Sequence, residues 1–514
     1  MSTDSAVRRL CFAGVLLIAG PAWAQSPMSA IDWLSRSVTT HPVAVPKDAA
    51  IPSPLGAGVQ PGIDVSVLGQ AQINGLGLLS AKVTGLPEDL WAASSSADLV
   101  ALLNVESTHM LPQLQDLLYT LLLVEVDAPA DAGASGSFLL ARIDKLLELG
   151  ALDQAQALLA LAGTRQPAFF RRWFDVDLLL GQEDVACKTM GEHPEVAPTF
   201  PARIFCLARN GDWDAARLTL TNAEALGLLK PAETTLLTRF LDTESDDTAT
   251  QMAPPAHPTP LTWRMMEAIG EPLPTNTLPL AFAQADLRDN TGWKAQIEAA
   301  ERLARTGAVS PNRLIGIYTA GKPSASGEPW DRIAAVQKFD AGLHAKSAVI
   351  VARTLPAAWS AMSAAGLEVP FATLYGKALS QMKLPPKLAA LAFRIGLLSP
   401  DYAVVAATHT PVDATEAFLI GLARGTPSTA PNEPMALAIA AAFTDTTPLS
   451  DDLAALVAEH KPGEAILHAI KRISDGSNGD LRGVTAGLQL LRQVGQVQAA
   501  ERVALELMLL DRQG

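Results

Sequence analysis

The sequence predicts an all-α protein, an α-solenoid of stacked helical hairpins that follows a largely extended N-terminal segment. One phrase recurs at three distant places: Gly150-Ala151-Leu152-Asp153-Gln154-Ala155, Gly211-Asp212-Trp213-Asp214-Ala215-Ala216 and Gly495-Gln496-Val497-Gln498-Ala499-Ala500. In each, glycine ends a helix where a left-handed backbone is needed, an apolar residue starts the next helix, and a small alanine lets two helices approach closely. A second phrase, glycine then three mostly apolar residues then proline, occurs at Gly227–Pro231, Gly307–Pro311, Gly366–Pro370 and Gly396–Pro400. A glycine past the helix end and a proline in the first turn of the next helix make a compact helix–helix turn. Composition agrees: 49% of residues are apolar but only 5% aromatic, and Ala and Leu prevail over the β-branched runs that sheets draw on.

Residues 1–24 match a secretory signal peptide part by part. Arg8 and Arg9 form a basic start, Leu10 to Ala19 an apolar core, and Gly20-Pro21-Ala22-Trp23-Ala24 a cleavage region ending in Ala-x-Ala. The core is too short for a bilayer span, which needs about 20 apolar residues. The longest later apolar stretch, Leu117 to Val126, is interrupted by Tyr119, Thr120 and Glu125. No integral membrane segment is expected in the mature chain, and the periplasm is the expected compartment.

Residues 25–85 are an extension: an amphipathic piece, Met28 to Val38, a Pro/Gly/Ala-rich stretch to Gly62, and the period-2 alternation Ile63 to Val67, a strand or extended docking segment. Residues 86–241 form a first helical array, interrupted by a low-complexity loop from Asp127 to Gly133. Residues 242–260, acidic and then Pro-rich, are expected as an exposed linker. Residues 261–514 resume helices to the end.

These turns resemble tetratricopeptide-like repeats, whose signature includes glycine at the hairpin and alanine on the inner faces. The resemblance is best over Leu139 to Leu220 and Leu488 to Leu509. It departs from the family in lacking a constant spacing of about 34 and the Trp-Leu-Gly-Tyr signature of the first helix. No ligand-contact residue carries over from it.

The formal charge is −14, of which the leader carries +1 (Arg8 and Arg9 against Asp4), leaving −15 for the mature chain. With no basic run longer than Arg171-Arg172, nucleic-acid binding, which requires phosphate neutralisation, is not expected. Two cysteines remain after cleavage, Cys187 and Cys206. An oxidising compartment can join them across the turn between two helices, or they are two buried thiols.

Catalytic signatures are sparse. His460 and His468 flank Glu464, but Pro462 and Gly463 interrupt a His-Glu-x-x-His face, so no metal site is expected. Glu106-Ser107 resembles the Glu-Ser pair of lytic transglycosylases, some of which carry an α-solenoid, but the Gly-Leu-Met-Gln element expected downstream is absent. No Gly-x-Ser-x-Gly, phosphate loop or dinucleotide fingerprint occurs, so no catalytic residue and no cofactor is assigned.

Two interaction candidates remain. Phe169-Phe170-Arg171-Arg172-Trp173-Phe174 combines aromatics with arginines, the composition of binding hot spots. Phe170, Trp173 and Phe174 have the spacing of a buried stripe, which leaves Arg171 and Arg172 as an exposed cationic spot. The other is Ile31, Trp33 and Leu34, a tethered apolar motif that docks in a partner's groove or folds back on its own solenoid. The functional expectation is a non-enzymatic, exported helical-repeat protein that binds protein partners as a scaffold or accessory chaperone of a cell-envelope assembly, for example cell-wall, secretion or motility machinery. The alternative is a peptidoglycan-acting enzyme with a dispersed site; a two-lobed solute-binding fold lacks the alternating β/α units it needs.

Overall fold

The computed structural model describes residues 72–242, 251–427, 429–444, 448–477 and 479–510. The expected leader, the Met28–Val38 piece with Ile31, Trp33 and Leu34, and the Ile63–Val67 alternation lie outside them. The described chain is all-α; among the described residues the only sheet is a two-residue parallel pair, Leu79–Ser80 with Val124–Glu125.

Local turn chemistry sets the hairpins. Gly150, Gly211 and Gly495 have φ of 77°, 86° and 82°, and the helices Leu152–Ala162, Trp213–Ala225 and Val497–Leu509 start two residues later. Gly227 and Gly307 likewise turn left-handed before helices that begin at Pro231 and Pro311. The other two copies of the Gly-to-Pro phrase differ. After Gly366 the helix already begins at Glu368, so Pro370 sits within its first turn. Gly396 lies inside the helix Pro386–Leu397, where an added Cβ would stand 2.9 Å from Val405 Cγ1. That glycine serves close helix approach instead of a turn.

Consecutive helices pack in pairs from Ser137–Glu148 to Pro231–Leu241, and the helix Pro260–Ala268 then folds back onto Pro167–Leu180. Pro167–Leu180 is therefore buried on two sides. Phe169, Val176 and Leu179 join the main core, while Phe170, Phe174 and Leu178 join a second core that extends to Leu261, Met265 and Met266. Cys187 and Cys206 are disulfide-bonded inside this second core, with Cα atoms 4.8 Å apart, and tie the helix Glu183–Glu192 to Phe200–Arg209.

The main core does not divide at residues 242–260. It runs from Leu86 to Leu510 and includes residues from both predicted arrays. The two ends of the array meet: the helix Pro462–Gly476 packs on Ser96–Val105 and Pro112–Leu123, and Val497–Leu509 packs on Pro112–Leu123. Gly463 makes this possible, because a Cβ there would fall 2.3 Å from Trp91 Cζ3, and its N–H donates to the Leu90 carbonyl at 3.2 Å.

Residues 72–85, grouped with the extension by sequence, pack on the first helices. Asn74 Oδ1 accepts from the Phe138 and Leu139 amides. Arg142, fully buried, donates to the carbonyls of Leu76, Leu122 and Val124 and fixes the two-stranded pair against Ser137–Glu148. Among the described residues no helix is long and apolar enough to cross a membrane.

Candidate functional site

The expectation of an exposed cationic spot at Arg171 and Arg172 is overturned: each is only 8% exposed. The helix Pro167–Leu180 contributes one face to the main core and another to the second core, so its polar residues must find partners inside. Arg172 grips Asp144 with two bonds, Nε to Oδ1 at 2.5 Å and Nη2 to Oδ2 at 2.7 Å. Arg171 pairs with Asp175 one turn on, Nε to Oδ2 at 3.3 Å. Burial pushes the Asp175 carboxyl above the usual carboxylate range, against the pull of Arg171.

Arg171 nevertheless reaches a site. With Phe174 and Asp175 it forms one wall of a groove of about 570 Å³, within the ~300–1,000 Å³ typical of ligand pockets. Leu236 from Pro231–Leu241, and Leu261, Met265 and Met266 from Pro260–Ala268, make the apolar floor. Prolines punctuate the rim, and Lys230, exposed, stands at one end with only a 4.0 Å pairing to Glu233. The remaining wall is a segment expected as exposed linker. Its Met252 amide donates to Glu271, which also pairs with Arg239 at 3.0 Å, and Pro258 is buried. Thr259 caps the following helix by accepting from the Thr262 amide.

A second, more open depression of about 590 Å³ is charged, with Arg264, Arg288 and Arg313 facing Asp153 and Asp289. Its cations are engaged in pairs: Arg264 binds Glu183 and Glu267, and Arg288 binds Glu267. Nearby Asp177 is pushed up to about 7 by burial, with the Gln156 hydrogen bond opposing and the Glu183 charge adding.

Glu106, the acid of the enzymatic alternative, follows the helix Ser96–Val105 and is 3% exposed. Burial pushes its carboxyl up to about 8, against Lys145 and Lys471 and with Asp475, and its Oε1 has no hydrogen-bond partner. Ser107 Oγ instead shapes the turn by accepting from the His109 amide at 2.9 Å. Glu106 lines neither cavity. It lies with Trp91, Gln113 and Glu464, which also carry unpaired buried polar atoms, on the segments where the two ends of the array meet. His460, at φ 55°, precedes the helix that holds Glu464 and His468.

The sequence motif Ile31, Trp33 and Leu34 lies outside the described residues, so Arg171 alone of the predicted partner-binding residues is placed at the groove. Sequence reasoning misses Leu236, Met252, Met265 and Met266; the pair Met265-Met266 and the apolar Met252 beside a proline run are the signals that could have found them. No protein-family model matches the chain, and no curated protein or solved structure matches it.

Proposed function

We propose that this is an exported, non-enzymatic helical protein that holds a segment of a protein partner in the groove beside Arg171, as a scaffold or accessory chaperone in the cell envelope. The observation that carries the reading is the groove itself: an apolar floor of methionines and leucines, prolines in its lining, and charges that are already paired, Arg171 with Asp175 and Lys230 with Glu233. Methionine-rich floors adapt to varied side chains, as promiscuous binding surfaces require. Because the arginine, lysine and carboxylates of its lining are paired with one another, the cleft suits recognition by shape and burial of apolar surface. Export is supported by the leader at residues 1–24 and by the Cys187–Cys206 bond, which an oxidising compartment sustains. The hairpin turns at Gly150, Gly211 and Gly495 support a tetratricopeptide-like ancestry.

The test is photo-crosslinking in the native envelope from Met252→p-benzoyl-phenylalanine, a half-buried position in the groove wall. The reading expects one stoichiometric partner, attached through the probe and reduced when the exposed Lys230→Glu is added. A probe that captures nothing, or clearing of purified cell wall by the isolated protein, contradicts it.

A further inference from the structure

Two kinds of contact join early helices to late ones. One lies around Gly150, where Gln284 Nε2 donates to the Gly150 carbonyl at 2.7 Å and Thr306 Oγ1 to the Leu149 carbonyl at 2.9 Å, with Leu280 and Leu303 closing on the glycine. Its polar groups are partnered. The other is the seam, where Pro462–Gly476 and Val497–Leu509 meet Ser96–Val105 and Pro112–Leu123. It is held by the Gly463 amide on the Leu90 carbonyl, by Glu506 on the Gln113 amide, and by a loose 3.7 Å pair of Arg502 with Asp116.

Against these contacts stand buried polar atoms on and beside the same helices that have no hydrogen-bond partner: Trp91 Nε1, Glu106 Oε1, Gln113 Oε1 and Glu464 Oε2. Each has lost water without compensation, a cost that exposure returns. In a stack of hairpins most stability comes from neighbouring pairs, so a contact between distant ends can part without disturbing them. The seam is therefore the weaker joint and the one placed to open first.

Glu106 sits in this seam just past Ser96–Val105, 3% exposed. From Ser137–Glu148, Lys145 donates to the Glu106 backbone carbonyl and pairs with Glu148. From Pro462–Gly476, Lys471 and Asp475 lie near the carboxyl and pair with each other at 2.7 Å. Both cations are engaged with other acids, so inside the seam the carboxyl is favoured as the neutral acid.

We propose that the seam is a proton-operated clasp: with Glu106 neutral the two ends are shut, and loss of that proton parts them while the Gly150 joint holds. Linkage sets the direction. Shut, burial holds the carboxyl up at about 8; parted, it returns to the 4.5 of an exposed glutamate. The parted form then gains by up to about tenfold per pH unit between those values, and gains no further above them. The clasp is tightest in acid and loosest in mild alkali.

The test is hydrogen exchange of the purified protein beside its Glu106→Gln variant at pH 6 and at pH 8, each pair compared at one pH so that intrinsic rates cancel. The ratio of wild-type to variant exchange in Pro112–Leu123 and Pro462–Gly476 should grow about tenfold or more from pH 6 to pH 8. In the second core, over Glu183–Glu192 and Phe200–Arg209, the ratio should stay constant. A ratio at the seam that ignores pH overturns the proposal, because Glu106 is then not the trigger. Equal growth in the second core overturns it too, because the seam then does not part by itself. Lys471→Gln and Asp475→Asn, both at surface positions, keep the proposal testable if Glu106→Gln does not fold. Removing the nearby cation should raise the pH at which opening levels off, and removing the nearby anion should lower it. No shift, or a shift of both in one direction, overturns the proposal.

Discussion

The carboxylate of Glu506 accepts the backbone amide of Gln113, 393 residues earlier in the chain, at 2.9 and 3.1 Å. Gln113 is the second residue of Pro112–Leu123, whose own preceding residue, Leu111, offers no side-chain cap. An acid from the last described helix therefore caps one of the first, satisfying an orphan N–H and complementing the helix dipole. It is a polar latch on the contact that joins the two ends of the array.

Removing that latch should loosen the closure before it unfolds the rest. Glu506→Ala is expected to cost about 1–2 kcal/mol, the scale of a lost cap and a buried amide left unpaired. Hydrogen exchange of Pro112–Leu123 should accelerate while the second core is unaffected; equal acceleration of both would show that the ends are not a separate unit.

Arg142 is a buried cation held by carbonyl oxygens. Burial lowers its pKa to about 10, which still leaves it charged at neutral pH. Arg142→Met strands the Leu76, Leu122 and Val124 carbonyls and should destabilise by about 3–5 kcal/mol. Arg142→Lys should recover only part of this, because a point charge cannot span the carbonyls that the planar guanidinium reaches. Urea denaturation of the three proteins reads the order directly.

The disulfide closes a loop of 19 residues within the second core. In the chain-entropy view its loss costs about 3 kcal/mol. Cys187→Ala with Cys206→Ala should lower the denaturation midpoint, and unfolded wild-type protein purified without reductant should show no free thiol between these two positions. A full thiol titre would contradict the exported reading.

Glu106 gives stability a pH dependence. Folding raises its pKa from 4.5 to about 8, so between those values the folded protein holds a proton that the unfolded chain has released. Stability must then fall as pH rises through that window and level off above it. Asp177, raised from 3.8 to about 7, acts with the same sign. The unfolding free energy from urea denaturation should drop from pH 5 to pH 8.5, by an amount on the order of 1 kcal/mol or more. Glu106→Gln, which stays neutral, should flatten the slope; an unchanged slope would rule this carboxyl out as its source.

Much of the helical architecture was legible because it is written locally. Gly150, Gly211 and Gly495 each need a left-handed backbone that glycine adopts without cost, and the apolar residue and small alanine just beyond each one mark the start of the next helix. Gly396 misled because a glycine kept for close packing against Val405 looks the same in sequence as one kept for a turn. Arg171 and Arg172 misled for a related reason. Their partners are Asp175, one turn away, and Asp144, 28 residues earlier, and a local count of charge sees an exposed pair where the fold makes two buried bridges. Only fragments of the groove were legible, Arg171 as a predicted contact and Met252 and Met265-Met266 as apolar signals. Its walls come from residues 171–175, 236 and 252–266, and only the return of Pro260–Ala268 onto Pro167–Leu180 brings them together.

The central claim, that this groove receives a protein segment, is tested most directly by hydrogen exchange of the purified protein before and after addition of the protein that the groove probe captures. The account predicts new protection confined to residues 230–236 and 252–266, with the seam between Pro112–Leu123 and Val497–Leu509 unchanged. Protection that appears at the seam or on the charged depression, with the groove exchanging as before, would contradict it.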